Sequence, residues 1–105
     1  MKILILATAL TLAAPAWAAR GNVEAGKAKS ATCAACHGPN GLSTTPGFPI
    51  LAGQNRDYLL HALKEYKAGK RKNAIMAGQA TSLTATDMAD LAAFYSVQKG
   101  LTLKY

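Results

Sequence analysis

Cys33 and Cys36 lie three positions apart and His37 follows at once, in the run Cys33-Ala34-Ala35-Cys36-His37. Two thiols at that spacing near a helix end can add to the two vinyl groups on one side of a porphyrin. An imidazole four positions after the first thiol shares its helical face and can reach the iron from below the ring. C-x-x-C-H is the attachment signature of a c-type haem. Other chemistries compete for the same side chains. A disulfide between Cys33 and Cys36 would be strained and would leave His37 without a role. A thioredoxin-like redox pair expects a βαβ context, and no strand precedes Cys33. A zinc site needs a fourth ligand, for which His61 is the remaining candidate. Haem attachment accounts for all three residues.

A histidine-ligated haem that serves electron transfer needs a sixth ligand. Met76, Met88 and His61 are the candidates once Met1 is set aside. Met88 falls on an apolar helical stripe, where a core filler is the ordinary reading. His61 falls off the Leu59-Leu63-Tyr66 stripe of its helix, as a solvated residue does; a bis-histidine haem or a pH-dependent role is the alternative. Met76 sits in the stretch Asn73-Ala74-Ile75-Met76-Ala77-Gly78, which reads as irregular and can bring one thioether across the far haem face. Soft sulfur suits iron and raises the reduction potential. The other ring nitrogen of the axial histidine needs an acceptor, usually a backbone carbonyl. Pro49 is the candidate, since its fixed φ makes the approach rigid; a plain turn residue is the alternative.

Helices must hold these groups. The first is expected over Val23–Cys36, with Asn22 as N-cap and Glu24 in the first turn. A Gly- and Pro-rich loop, too turn-prone for a helix, runs from Gly38 to about Asn55. Its length marks it as functional or wrapped around something. A second helix is expected over Asp57–Ala68, ended by Gly69. Lys70–Ser82 reads as irregular. Thr84 with Asp87 resembles a capping box for a third helix over Ala85–Gln98, striped by Met88, Leu91, Ala92 and Tyr95. Nothing reads as a strand, so the fold is all-α with long connections.

The chain of 105 residues allows one domain at most. Met1 and Lys2 open it, Ile3–Ala14 is apolar, Pro15 breaks the run, and Ala16-Trp17-Ala18 offers small residues to a signal peptidase. Residues 1–18 are therefore expected to be a cleaved secretory signal, too short for the roughly 17–25 residues of a spanning helix. An uncleaved anchor is the alternative. Residues 19–105 remain as the domain, a size at which a bound cofactor commonly supplies missing core. The two Cys close too short a loop to staple it. The net charge of +7 attracts acidic partners. Nucleic acid is not expected, because the basic residues lack aromatic interleaving and secretion removes access. Lys27, Lys29, Lys64, Lys67, Lys70, Arg71 and Lys72 are candidates for a docking rim, against an ordinary solvated face.

Taken together these features resemble a class I cytochrome c, in particular the small soluble bacterial monohaem type. The resemblance runs through Gly26, Cys33-Ala34-Ala35-Cys36-His37-Gly38, Phe48-Pro49-Ile50-Leu51-Ala52-Gly53-Gln54, Tyr58, Gly69 with Arg71, Met76, and Leu83 to Tyr95, nearly all of the chain after residue 18. It implies three main helices with long loops wrapped around one covalently attached haem c and its iron. It implies that Gly26 packs on Tyr95 where the first and last helices cross, that Pro49 and Leu51 back the axial histidine, and that Met76 is the sixth ligand. Relatives with two haems carry two such domains; one motif here implies one haem. The distal stretch varies in such families, so Arg71 and Asn73 take no firm role; Arg71 could face a haem propionate or solvent, and solvent is the default for a basic residue.

The expected function is outer-sphere transfer of single electrons in the bacterial periplasm, without catalysis, by a monomer not inserted in the membrane. Its partners would be an oxidase, reductase or dehydrogenase with acidic patches. The alternatives are a haem-based ligand binder or enzyme with a displaceable sixth ligand, and a membrane-tethered cytochrome subunit of a respiratory complex.

Overall fold

Asn22 accepts the Ala25 N–H on its side chain at 2.9 Å and starts α1 (Val23–Lys29), with Glu24 in the first turn as expected. The expected single helix through Cys36 is broken at Ser30, and α2 (Ala31–His37) begins anew. The cause is local: the Ser30 hydroxyl donates to the Lys27 carbonyl at 2.7 Å and its N–H does so at 3.2 Å. Serine diverts the backbone from the helical ladder in this way. In the computed structural model, residues 4, 7–12 and 20–100 are described. Lys2, Pro15 and Ala16–Ala18 of the expected signal lie outside them, while Leu10 and Leu12 are almost fully exposed.

Asn55 caps α3 (Arg56–Ala68), one residue earlier than expected, by accepting the Tyr58 N–H at 3.0 Å. Gly69 closes it with φ +75°, a left-handed conformation natural to glycine. The stretch expected to be irregular contains a further helix, α4 (Ala74–Ala80). Asn73 accepts the Met76 N–H at 3.0 Å, and Ala74, Ala77 and Ala80 are strong helix formers. So short a helix shows no apolar period to read. Thr84 and Asp87 form the full capping box of α5, which ends at Ser96, two residues before the expected boundary. The all-α expectation holds, with five helices and no strand among the described residues: the three expected segments are helical, the first of them split in two, and α4 is added. None of these helices is long and apolar enough to cross a membrane.

Helix α5 is the core: Met88, Leu91, Ala92, Ala93, Phe94 and Tyr95 are buried on it, packed by α1 on one side and α3 on another. Gly26 makes the α1–α5 crossing. A Cβ there would stand 2.0 Å from the Asp90 carbonyl oxygen and 2.6 Å from the Phe94 Cβ. The aromatic at the crossing is therefore Phe94, and the expected Tyr95 instead turns its ring to Gly41, where a Cβ would meet it at 2.8 Å. Beside the crossing, buried Asp90 accepts the Asn22 N–H at 2.8 Å and Lys29 Nζ at 2.6 Å. Lys29 also pairs with Asp87 at 3.0 Å, so it is a seam residue and not a free docking lysine. Asp90 first, then Asp87, raise the Lys29 ammonium above its ordinary value.

The Thr84 backbone N–H, with Lys29 next, holds the Asp87 carboxyl down to about 2. A depressed folded-state value contributes stability that is complete above the unfolded value near 3.8 and lost as pH falls toward 2. Asp87→Asn is therefore expected to lower Tm at about pH 6, and the gap from wild type is expected to close between about pH 4 and pH 2. Thermal melts followed by circular dichroism check it; a gap undiminished at the acid end rules the assignment out.

The loop from Gly38 to Asn55 is fastened to this core. The Gly41 carbonyl accepts the N–H groups of Leu51 at 2.8 Å and Ala52 at 3.2 Å, and the Gly53 N–H donates to the Tyr95 carbonyl at 3.0 Å.

Candidate functional site

Between α2, the loop, α3, α4 and α5 lies a cavity of about 340 Å³. That volume suits a ligand of cofactor size, since such sites run from about 300 to 1,000 Å³. Cys33, Cys36 and His37 line it from α2, Pro49 from the loop and Met76 from α4. All five residues that sequence reasoning singled out thus border one space. Cys33 and Cys36 are half-buried on α2 and form no disulfide with each other.

His37 is buried, and its Nδ1 lies 2.8 Å from the Pro49 carbonyl oxygen. A carbonyl only accepts, so this contact requires the proton on Nδ1 and leaves the Nε2 lone pair free. Gly38, at φ +83°, ends α2 directly after the imidazole. The remaining walls are largely apolar, with Leu59 and Leu63 from α3, Leu91 and Ala92 from α5, and Ile50 and Leu51 from the loop.

The other candidates stand elsewhere. Met88 is buried in the core and does not line the cavity. His61 is exposed, with Nε2 2.6 Å from Glu65 Oε1, and also lies outside the lining, which removes it as the fourth ligand of a zinc site with Cys33, Cys36 and His37. No group of three or more His, Cys, Asp or Glu is gathered for a metal among the described residues.

Two features were missed by sequence reasoning. Tyr95 reads as a stripe residue, yet the residue also borders the cavity, while its hydroxyl is buried beside Cys33 without a hydrogen-bond partner. Burial first, and Cys33 beside it, push that phenol well above its ordinary value. Arg71 is not simply in solvent: its guanidinium lies over the rings of Tyr58 and Tyr66 at 5.7 and 5.4 Å, and it lines the cavity. The signals available beforehand were the place of Arg71 beside Gly69 in the resemblance and the tyrosines at 58 and 66 on the helix before it.

Comparison with known proteins places this geometry. The cytochrome c family model matches residues 23–96. The chain is 45% identical over 100 residues to cytochrome c4 of Pseudomonas aeruginosa, covering 94% of this chain and 50% of that protein. It is 43% identical over 82 residues to cytochrome c-554(548) of Halomonas halodenitrificans, covering 75% of this chain and 99% of the relative. The structure of reduced recombinant cytochrome c4 from Pseudomonas stutzeri superposes with a TM-score of 0.73 at 44% identity, over 77% of this chain and 47% of that one. The chain thus spans about half the length of the cytochrome c4 relatives it matches. The fold, the motif and these likenesses agree, and the chain belongs to the cytochrome c family as a small class I c-type cytochrome.

Proposed function

We propose that the chain is a periplasmic carrier of single electrons, working through one haem c joined to Cys33 and Cys36 and ligated axially by His37 and Met76. The observation that carries this reading is that these four residues border one cavity from different elements, with His37 already held by Pro49. The donor set fits the group that the family implies. Thiols and an imidazole stand on one wall and a soft thioether on another, within a largely apolar lining. When bound, haem supplies a one-electron ferric–ferrous couple.

The chain's own residues do the rest. The Nδ1–H of His37 donates to Pro49, which fixes the tautomer and the ring orientation and keeps Nε2 available to metal. Asn73 caps α4 and thereby fixes the backbone that carries Met76. Apolar walls exclude water. Residues 1–18 act as the export signal and residues 19–105 as the domain that remains. Optical spectroscopy of the purified exported protein tests the proposal. A haem spectrum whose pigment survives acid denaturation, with the ferric near-infrared band of methionine ligation, supports it. Pigment that washes out, or none at all, defeats it. Met76→Ala is expected to turn a reduced protein that binds little carbon monoxide into one that binds it rapidly. If wild type already binds it fast, the displaceable-ligand alternative takes over.

An acidic redox protein is the proposed partner, an oxidase, reductase or dehydrogenase, met by a monomer. Of the candidate docking residues, Lys29 is held at the helix seam, Lys67 donates to the Leu83 carbonyl and Arg71 is held over the tyrosines. Lys64, Lys70 and Lys72 stay exposed, flanking the cavity-lining Leu63, Tyr66, Arg71 and Asn73. Electron exchange with an acidic partner is expected to slow about tenfold between about 10 and 150 mM salt, as the screening length shrinks from about 30 to 8 Å. Stopped-flow kinetics checks it, and Lys64→Gln, Lys70→Gln, Lys72→Gln together are expected to flatten the dependence. A flat wild-type response rejects steering.

A further inference from the structure

Helix α4 carries Met76 and is thinly supported. It has seven residues, Ala80 is its one buried residue, and Ile75 on it is 60% exposed. Its one helix neighbour is α3, which packs on α5 as well. At its C-terminal end the Thr81 hydroxyl competes for the Ala77 carbonyl, at 2.7 Å. In the middle of α4 stands Gly78, and nothing in the fold asks for glycine there. Its φ is not positive, a Cβ would meet no atom within 4 Å, and the residue is exposed and does not border the cavity. Gly26 and Gly41 differ: a Cβ on either would collide. Glycine inside a helix weakens it relative to alanine, because its backbone gains more freedom when the helix melts. Among Ala74, Ala77 and Ala80, all strong helix formers, Gly78 is the weak place.

From this arrangement we infer that α4 opens locally in the oxidised protein, withdrawing Met76 and baring the sixth position to a small linear ligand, and that Gly78 sets how often it does so. The inference rests on the reading that Met76 is an axial ligand. A thioether that raises the reduction potential holds the reduced form more tightly than the oxidised one, so opening belongs to the oxidised state. Elements with few buried contacts open at low free energy while the rest stays folded. The α1–α5 seam and the buried Leu91, Phe94 and Tyr95 stay closed.

The test uses the oxidised haem-loaded protein, with cyanide as the probe. Cyanide replaces the thioether on the ferric iron: the iron–sulfur bond breaks, an iron–carbon bond forms, hydrogen cyanide gives its proton to solvent, and no electron is exchanged. Where the rate is proportional to cyanide concentration, Gly78→Ala is expected to slow binding about fourfold to fivefold, the full weight of the propensity difference. Hydrogen exchange read by mass spectrometry is expected to show the α4 amides of wild type exchanging faster than those of α3 and α5, and slowed by the same factor in Gly78→Ala. Ala28→Gly removes equal helix propensity from the exposed side of α1 and is expected to leave both readouts unchanged. An unaltered cyanide rate in Gly78→Ala, or wild-type α4 amides as protected as those of α5, overturns the inference and leaves the carrier reading standing. Faster cyanide binding in Ala28→Gly, by the factor that Gly78→Ala slows it, means that the whole molecule opens, and overturns the local account. A protein without covalent haem or without methionine ligation overturns both readings together.

Discussion

Replacing Cys33 and Cys36 together with alanine is expected to leave the chain largely unfolded, with most of its helical circular dichroism lost. The structure gives the reason. Helix α2 rests on α1 and, through Cys33, on the buried cluster around Leu91 and Tyr95, while the cavity lies between its thiol-bearing face and α3 and α4. The cavity walls are largely apolar, among them Ile50, Ile75, Leu51, Leu59, Leu63 and Leu91. A group filling it buries a few hundred Å² of apolar surface, which at about 25 cal/mol per Å² contributes several kcal/mol. A small domain has only about 5–15 kcal/mol in total. Native-like ellipticity with a cooperative melt in the double variant would sink this account of the core.

Gly26→Ala is the second large effect, and here two terms of opposite sign compete. Alanine improves helix propensity by up to about 1 kcal/mol over glycine. Against that, the new methyl lies 2.0 Å from the Asp90 carbonyl oxygen and 2.6 Å from the Phe94 Cβ, both rigid parts of α5. Carbon contacts are optimal near 3.5–4 Å, so α1 and α5 must part by more than an ångström. Overpacking of this kind costs about 1–3 kcal/mol. Parting the helices also loosens the Asn22 and Lys29 contacts that satisfy buried Asp90, worth a further 1–3 kcal/mol or so. The clash wins. A net loss of about 3 kcal/mol is expected, a fall in Tm on the order of 12–24 °C for a domain this size. Melts of the haem-loaded variant check it, and a fall of only a few degrees means that the seam yields more easily than its geometry implies.

The parts of the fold that were legible beforehand are those with local causes. Asn22, Thr84 with Asp87, and Gly69 do at the helix ends what their side chains dictate, and the Gly- and Pro-rich stretch is indeed a loop. The apolar stripe of α5 is the core it promised to be. Other features were hidden because their causes were not periodic or not local. The break at Ser30 turns on one hydroxyl choosing the Lys27 carbonyl. Helix α4 is too short for a stripe. Whether Phe94 or Tyr95 meets Gly26 depends on how α5 is rotated, and adjacent residues differ by about 100° around a helix. The motif residues were readable because thiol and imidazole chemistry demands fixed spacing. Their common cavity, and the tyrosine bracket around Arg71, became visible only once α3 and α4 stood together.

The place of α2 at the cavity edge bears on how such a protein is made. Its segment Ala31–His37 carries both thiols and rests on α1 and, through Cys33, on the buried cluster around Leu91 and Tyr95, and the hydrogen bond from His37 to Pro49 ties it to the loop. The α1–α5 seam can form early, while the thiol-bearing turn stays within reach of whatever enzyme does the joining. On the proposed attachment, closure of the cavity would follow the joining of the thiols and make maturation a one-way ratchet, with a stable product and a pliable unmodified precursor.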